Sequence, residues 1–407
     1  MPEFRPFRGI RYRTDDLDAV SAPPYDVIDP SERDALAARS RHNSVRLILP
    51  GDGDGYERAA ALLAEWEADG VLARDDTAAF YSYSMTFADD SGASRHSVGI
   101  IGGLVMPTAS GEGDVLPHER TLPKAKSERL ALLRATRVNL DPIWGLAPVV
   151  GLAAAAGRAV PLATTVDDDG VVHHLGAISD PEAVNAIRTI VADEPIVLAD
   201  GHHRFETAIA YRNERRAAGI TEPGDDAVMC LVVELAEEHL WVQPIHRVLN
   251  GVSSSTGLRL ALARRFRIVD AAPNTPAALA SLVTTVRNQG GVGLVDAEGL
   301  ARLVADPDDL ERATAELEPV LADGSSAGGD ALAQGALGDV EITYRHDATA
   351  IAAMVANGTA DAAILLPPVT VPQIRAAAKA RVRMPQKTTF FAPKPRTGLV
   401  FRGLDEA

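Results

Sequence analysis

The sequence predicts a mixed α/β fold, because helical and strand patterns alternate in its first and last thirds. At about 150 residues per domain, the 407 residues correspond to roughly two or three domains with sizeable buried cores. Turn residues between two β-rich runs further indicate an antiparallel hairpin. We predict an N-terminal α/β region at 1–110, a core region at 111–250 that carries the unusual residue clusters, and a C-terminal α/β region at 251–407.

The first third begins with a helix signal at Asp29. The aspartate suits an N-cap, the proline after it suits the first helical position, and a glutamate follows three residues beyond the cap. We therefore expect a short helix to about Ala38. The compact apolar run 45–49 predicts a strand, and apolar residues at helical spacing predict a helix over 56–68 that a glycine ends.

Turn and cap residues define the remaining elements. The β-rich runs 78–87 and 94–106 flank the turn sequence Asp-Asp-Ser-Gly, which predicts an antiparallel pair. Thr275 is the expected cap of a helix over 276–286. Alternating strand and helix segments are then predicted at 340–344, 348–356, 362–366 and 372–380. The small, poorly patterned residues 322–338 are predicted to form a surface loop or linker.

The charge balance excludes several classes of partner. There are 40 Lys and Arg residues and 56 Asp and Glu residues, a net charge of −16 that repels nucleic acid phosphates and anionic membrane surfaces. Any bound anion must therefore be held by a local basic site. Residues 1–13 carry charges and prolines unlike a signal peptide, and 142–157 is too rich in Ala, Gly and Pro to span a membrane. We expect no nucleic acid or membrane partner, and the oligomeric state stays open.

The cysteine content and the missing motifs narrow the function further. The single cysteine, Cys230, excludes an internal disulfide and any multi-cysteine metal site, and its apolar surroundings are typical of a buried thiol. A reducing, cytoplasmic location is expected. The sequence lacks the Walker-type phosphate loop, the nucleophile elbow of hydrolases and the H-E-x-x-H zinc helix. His173 and His174 follow an Asp-rich turn and are predicted to lie on the surface.

The strongest local signal is an apolar strand that runs directly into Asp200, Gly201, His202, His203 and Arg204, followed by a helix. The free N–H groups and the dipole of a helix N-terminus attract anions, and a glycine lets the anion approach the backbone closely. The two imidazoles and the guanidinium add donors, which makes this turn a candidate phosphate cradle. The plainer alternative is a helix cap followed by ordinary surface histidines.

A second cluster contains His118, Glu119 and Thr121 and continues into a basic helix that carries Arg129, with Asn139 beyond it. Cations around Glu119 would keep its carboxylate ionised, as a general base acting on a hydroxyl requires. A solvated basic helix with one stray acid explains this pattern equally well.

Two weaker clusters could supply further phosphate donors. His246 and Arg247 follow two apolar strand segments, and they repeat the donor chemistry of the first cluster. Lys387 and Lys394 lie in a loop rich in proline and lysine between two short β runs. The alternative for that loop is a terminal hairpin with solvated lysines.

The Asp-Gly-His-His-Arg turn resembles the ParB/sulfiredoxin-like superfamily, in which such a turn binds phosphates at a helix start. Within it, the sequence is most similar to the free L-serine kinases, and to their long, pyrophosphate-dependent bacterial members. This resemblance extends from 23–28 to 398–400. It implies a ParB/sulfiredoxin-like core that transfers a phosphoryl group from pyrophosphate to free L-serine. A sulfiredoxin would need a cysteine in the turn, and a ParB-like protein would need a basic DNA-reading region.

The resemblance also implies roles for individual residues. Glu119 matches the catalytic glutamate, and Asp200 matches the essential aspartate near the phosphates and a Mg²⁺ ion. The catalytic set is Glu119, Asp200, His202 and His203. The phosphate-binding set is Gly201, His202, His203, Arg204, His246, Arg247, Lys387 and Lys394. The substrate-binding set is His118, Thr121, Arg129 and Asn139.

Three other functions remain open on the sequence. The first is a serine kinase that uses ADP or ATP. The second is a nucleotide-binding regulatory module without turnover. The third is a metal-dependent phosphohydrolase built on Asp200, His202, His203 and His246.

Overall fold

The computed structural model describes residues 1–51, 53–90, 92–109, 112–117, 123–264, 266–305, 340–381, 387 and 389–405. The helices in these ranges are α1 Leu17–Val20, α2 Pro30–Arg39, α3 Val45–Ile48, α4 Gly55–Ala68, α5 Pro123–Thr136, α6 Leu152–Ala156, α7 Pro181–Ala192, α8 His202–Ala217, α9 Ser255–Leu262, α10 Pro276–Gln289, α11 Ala348–Ala356 and α12 Val371–Ala380. The strands are β1 Phe4–Arg5, β2 Ile10–Tyr12, β3 Leu72–Arg74, β4 Phe80–Ala88, β5 Ser94–Val105, β6 Val115–Pro117, β7 Val138–Asn139, β8 Ile143–Ala147, β9 Val160–Val166, β10 Val172–Ile178, β11 Ile196–Asp200, β12 Ala227–Glu234, β13 Trp241–Pro244, β14 His246–Asn250, β15 Arg267–Ala272, β16 Val292–Asp296, β17 Gly299–Val304, β18 Glu341–Arg345, β19 Ala362–Leu365, β20 Thr389–Ala392 and β21 Arg402–Gly403. This mixture confirms the predicted mixed α/β class.

The chain divides into two compact units. Unit 1 comprises Met1–Trp241, Val371–Met384 and Phe391–Ala407, and unit 2 comprises Val242–Thr370 and Pro385–Phe390. This division differs from the three consecutive regions expected from the sequence. The reason is strand pairing, because residues 99–105 of β5 in the first region pair with β12 of the second, so that both regions share one sheet.

Unit 1 is built on a nine-stranded mixed sheet with the order β6-β11-β8-β12-β5-β4-β10-β9, and β1 pairs with β5. The pairs β11 with β6 and β12 with β8 are parallel. Every residue of β12 is buried, as its continuous apolar sequence requires of a central strand. Ile187 of α7 and Phe205 of α8 are fully buried against the sheet and belong to the main core. Burial of these faces fixes the position of the β11–α8 junction.

Unit 2 contains a six-stranded sheet with the order β15-β17-β16-β19-β14-β18. All of its described pairings are antiparallel. Alternate residues of β14 belong to different cores, because Leu249 joins the cluster of α9 and Val248 joins the cluster of α10 and α11. Helices therefore cover both faces of this sheet.

Several predicted elements are confirmed. Asp29 caps α2 through hydrogen bonds from the amides of Ser31 and Glu32, at 2.8 and 2.9 Å. The β4–β5 hairpin is antiparallel, and Thr275 caps α10. The predicted linker 322–338 lies outside the described residues. Among the helices that the structure describes, none has the length and apolar character needed to cross a membrane.

The strand predicted over 45–49 is wrong, because this segment forms the single-turn helix α3. The side chain of Asn43 accepts a hydrogen bond from the Val45 amide at 2.9 Å, and the Leu49 amide closes the turn on the Val45 carbonyl at 2.8 Å. Leu47 and Ile48 are fully buried in this turn. A short apolar run does not distinguish a buried strand from a buried helical turn, and here the local hydrogen bonds form the turn.

The surface position predicted for His173 is also wrong. Its side chain lies on β10 and is fully buried. Nδ1 is 2.8 Å from the Tyr83 hydroxyl and Nε2 is 2.9 Å from a carboxylate oxygen of Asp167. The acidic turn that suggested a surface position instead supplies the hydrogen-bond partner that makes burial of the imidazole possible.

Candidate active site

The Asp-Gly-His-His-Arg turn forms the corner between β11 and α8. Gly201 has φ +84° and ψ 26°, a left-handed conformation that favours glycine, and no side chain caps α8 at this position. A Cβ atom on Gly201 would lie 2.9 Å from Cγ2 and 3.1 Å from Cα of Ile143 on β8. Glycine is therefore required for both its backbone conformation and its closeness to the neighbouring strand.

We expect Gly201→Ala to destabilise the protein more than Gly219→Ala does. Both glycines flank α8 and both have positive φ, +84° and +75°. In the part of the chain that the structure describes, no atom beyond its sequence neighbours lies within 4 Å of a Cβ on Gly219. Backbone strain alone costs about 1–2 kcal/mol, and the contact with Ile143 adds overpacking at Gly201. Urea unfolding of the two variants measures the difference. Equal losses would contradict the close approach of the corner to β8.

Asp200 is held by two cations. The Lys394 ammonium donates to Oδ1, and Arg204 donates from Nη2 to Oδ2 at 2.9 Å. Burial acts to raise the pKa of Asp200, but Lys394 and Arg204 outweigh it and keep the pKa below its usual value. Asp200 is consequently a carboxylate at neutral pH, although its side chain is only 18% exposed.

Arg204 connects the corner to the start of β8. Its Nη1 donates to the Pro142 carbonyl at 2.7 Å, while its buried Nε has no hydrogen-bond partner among the described residues. Burial opposes its charge, but the carboxylates of Asp200 and Asp141 raise its pKa. Both terminal nitrogens thus bond to the protein itself, so the guanidinium braces Asp200 in addition to any role in binding a phosphate.

Asp141 and Arg129 extend the charged cluster beyond the corner. The Thr397 hydroxyl donates to Oδ1 of Asp141, and burial raises the pKa of this carboxyl to about 6, against the opposing effect of Arg204 and Arg129. The Arg129 guanidinium lies 4.2 Å from the ring centre of Tyr25 and donates to the Ile48 carbonyl at 2.8 Å. The α-helical position predicted for Arg129 is confirmed, and the structure brings it to the same region as Arg204.

A pocket lies beside the corner, between α5, α8 and the segment 138–141. We call it the α5–α8 pocket, and its lining includes Arg129, Asn139, Asp141, Arg204, Thr207 and Val228. The sequence analysis missed Asp141, Thr207 and Tyr25. A signal was available for Tyr25, which lies within the segment 23–28 where the family resemblance begins.

The other residues predicted near the corner differ in their burial and in their contacts. His202 is buried at the start of α8 and also lowers the pKa of Asp200, whereas His203 is half-buried. The side chain of Asn139 accepts hydrogen bonds from the Met229 amide at 3.0 Å and from Arg402 at 3.3 Å, which gives it a structural role. His118, Glu119 and Thr121 lie outside the described residues.

The structure places His246, Arg247 and Lys387 in unit 2. His246 and Arg247 are the first two residues of β14, and both are buried. Nδ1 of His246 accepts from the Leu366 amide at 3.0 Å, and burial lowers the pKa of this imidazole to about 4. Arg247 donates to the backbone carbonyls of Ile245 and Lys387 at 2.6 and 2.9 Å. These contacts support the fold of unit 2.

Cys230 is fully buried, as predicted, and burial raises the pKa of its thiol. It therefore remains a protonated, unreactive core residue. In the part of the chain that the structure describes, no group of three or more His, Cys, Asp or Glu side chains could hold a metal ion. Asp200 offers one carboxylate, which suits the sparse protein ligation typical of Mg²⁺ bound with a phosphate substrate.

The fold and the site together define a mixed α/β protein with an ionised aspartate at a strand–helix corner. The chain belongs to the family described as "Protein of unknown function (DUF1015)", whose model matches residues 4–323. No curated protein matches this sequence.

Similar solved structures include three at low identity. A mutant free serine kinase in complex with AMP has 10% identity and a TM-score of 0.39, covering 70% of this chain and 88% of that chain. A conserved hypothetical protein from Pyrococcus furiosus has 10% identity and a TM-score of 0.36, covering 69% and 88%. C-terminally truncated SbnI from Staphylococcus aureus has 12% identity and a TM-score of 0.35, covering 71% and 84%.

Proposed function

We propose that this protein phosphorylates the hydroxyl of free L-serine, with pyrophosphate as the phosphoryl donor. The serine oxygen forms a bond to one phosphorus, the bridging P–O bond of pyrophosphate breaks, and O-phosphoserine and orthophosphate leave. The observation that carries the proposal is the β11–α8 corner, where an ionised aspartate meets a helix N-terminus that begins with a glycine cap. Phosphoryl transfer depends mainly on positioning and charge neutralisation, and the groups of this corner are suited to both.

The donor binds at the N-terminus of α8 in this proposal. The first N–H groups of a helix lack intrahelical partners and carry the positive end of its dipole, so they suit phosphate oxygens. The imidazoles of His202 and His203 add donors at the first two helical positions. These local donors are needed because the chain as a whole carries a net charge of −16.

Asp200 fits a Mg²⁺ ion as a single hard carboxylate ligand. Its two oxygens already accept from Lys394 and Arg204, so the metal would share this carboxylate with them. When bound, Mg²⁺ would neutralise charge on the phosphate oxygens. Lys394 and Arg204 meanwhile fix the orientation of the carboxylate at the strand end.

Glu119 accepts the serine hydroxyl proton in this proposal, as the family resemblance implies. Chain geometry supports the assignment, because β6 runs parallel to β11 with Pro117 opposite Leu198. Both strands therefore end at the same edge of the sheet. The described part of β6 ends at Pro117, two positions before Glu119 in the sequence, at the edge where β11 leads into the corner.

The test is incubation of the purified protein with L-serine, Mg²⁺ and, in separate reactions, pyrophosphate, ADP or ATP. We expect O-phosphoserine with pyrophosphate, detected by phosphorus NMR. The isosteric variant Asp200→Asn, purified in the same way, controls for contaminating kinases and should form no product. Product with only ADP or ATP would correct the donor, and no product with any of the three would refute the kinase proposal.

A further inference from the structure

The α5–α8 pocket combines charges of both signs with an unsatisfied hydroxyl. Thr207 is 3% exposed, and its Oγ1 has no hydrogen-bond partner among the described residues. The same holds for Nε of Arg204. A buried polar group without a partner costs about 1–3 kcal/mol, so such groups in a lined pocket indicate a missing ligand or water.

Two charged groups of the pocket retain binding capacity. Asp141 uses Oδ1 to accept from Thr397, while Oδ2 accepts no hydrogen bond from the described part of the chain. Arg129 contacts the Tyr25 ring and one backbone carbonyl, and within the described ranges it forms no ion pair with a carboxylate. The pocket thus presents a carboxylate oxygen and a guanidinium that both lack a full set of polar partners.

We propose that the α5–α8 pocket binds the ammonium and carboxylate groups of a free α-amino acid. Asp141 accepts from the ammonium, together with the hydroxyl of Thr207, and Arg129 donates to the carboxylate. This inference rests on the proposed function in that it identifies the acceptor side of the same site.

The charge of the cluster favours a zwitterion over a second phosphate. The negative charges near the pocket are those of Asp141, Asp200 and Asp26, and Asp26 acts electrostatically on both Asp141 and Arg204. The positive charges are those of Arg129, Arg204 and Lys394. These charges already balance, so a neutral zwitterion adds no net charge, whereas a phosphate would meet the carboxylate of Asp141. Arg204 belongs to both the corner and the pocket, which puts the amino acid next to the donor.

The test is calorimetric titration of the full-length protein in the absence of any phosphoryl donor. The probes are L-serine, 3-hydroxypropionate, which lacks the ammonium, and ethanolamine, which lacks the carboxylate. We expect L-serine to bind at least about tenfold more tightly than either analogue, since each analogue leaves one charged group of the pocket unpaired. Asp141→Asn should weaken the binding of L-serine but not that of 3-hydroxypropionate. Arg129→Gln should weaken the binding of L-serine but not that of ethanolamine.

Thr207→Val tests the pocket without disturbing the fold, because the hydroxyl it removes has no partner in the described residues. It should weaken L-serine binding, while the midpoint temperature of thermal unfolding stays at or above that of the parent protein. Wild-type affinity for L-serine in both Asp141→Asn and Thr207→Val would overturn the assignment, as would the absence of L-serine binding. If L-serine binding depends on Asp141 but no O-phosphoserine forms, only the proposed kinase activity is refuted. If O-phosphoserine forms and Asp141→Asn leaves the KM for serine unchanged, only the proposed amino acid site is refuted.

Discussion

Replacing Glu119 with glutamine is expected to reduce kcat for O-phosphoserine formation by about 10³-fold, within the range of 10²–10⁴ that a general base contributes. Glutamine keeps the size and polarity of the side chain but cannot take up the serine proton. In the proposed mechanism the donor is held by the groups at the N-terminus of α8, and Glu119 is assigned to the serine hydroxyl. Pyrophosphate affinity, measured by calorimetry, should therefore stay within about twofold of the parent value.

Glu128→Gln provides the matched control for this experiment. Glu128 is exposed on α5, so the same chemical change there removes one acidic charge without touching the corner. Its kcat should equal that of the parent protein. Near-normal turnover by Glu119→Gln would remove Glu119 from the base role, and equal losses in both variants would attribute the effect to charge alone.

Arg204→Ala is expected to lower the free energy of unfolding by about 3 kcal/mol, because it leaves the buried carboxylate of Asp200 with only one of its two cations. It also removes the hydrogen bond to the Pro142 carbonyl, which anchors the start of β8. Turnover should be lost along with the orientation of Asp200. Urea unfolding and initial-rate kinetics measure the two effects separately.

Arg216→Ala on the same helix is the control that separates the effect of losing a buried ion pair from the effect of losing one positive charge. Arg216 also pairs with an aspartate, Asp226, at 2.7 Å, but its side chain is 47% exposed. Solvent-exposed pairs contribute less than about 1 kcal/mol, so this variant should be nearly as stable as the parent. If Arg204→Ala were equally harmless and only raised the KM for pyrophosphate, the guanidinium would be a phosphate ligand and not a brace.

Much of the fold follows from local patterns. The helix capped by Asp29 and the hairpin around 89–92 are encoded by residues a few positions apart, whose interactions form within one turn of chain. The strand–turn–helix corner belongs to the same group, because Gly201 and the flanking apolar faces specify it locally. The segment at 45–49 lacks such a distinguishing pattern, and the hydrogen bond from the Val45 amide to the Asn43 side chain accompanies the helical turn that forms there.

The candidate site could be predicted only in part. Asp200 and Arg204 are four residues apart on one strand–helix turn, so their pairing was accessible from the sequence. His246 and Arg247 bond to the backbone of unit 2, and their role as phosphate ligands stays a prediction. An imidazole or guanidinium has the same chemistry in a phosphate site as in a buried hydrogen bond, so residue type alone does not distinguish the two roles.

The sequence by itself determined the α/β class, the corner at Gly201 and the acidic charge that confines anion binding to a local site. Tertiary structure alone decided that Lys394, which is 194 positions away, pairs with Asp200, that Thr397 bonds to Asp141, and that the pocket lies between α5 and α8. The physical reason is the distance along the sequence between the interacting residues. Caps, turns and periodicity depend on neighbours within about one helical turn, whereas the partners of a buried charge are selected by the packing of sheet and helices that brings distant segments together.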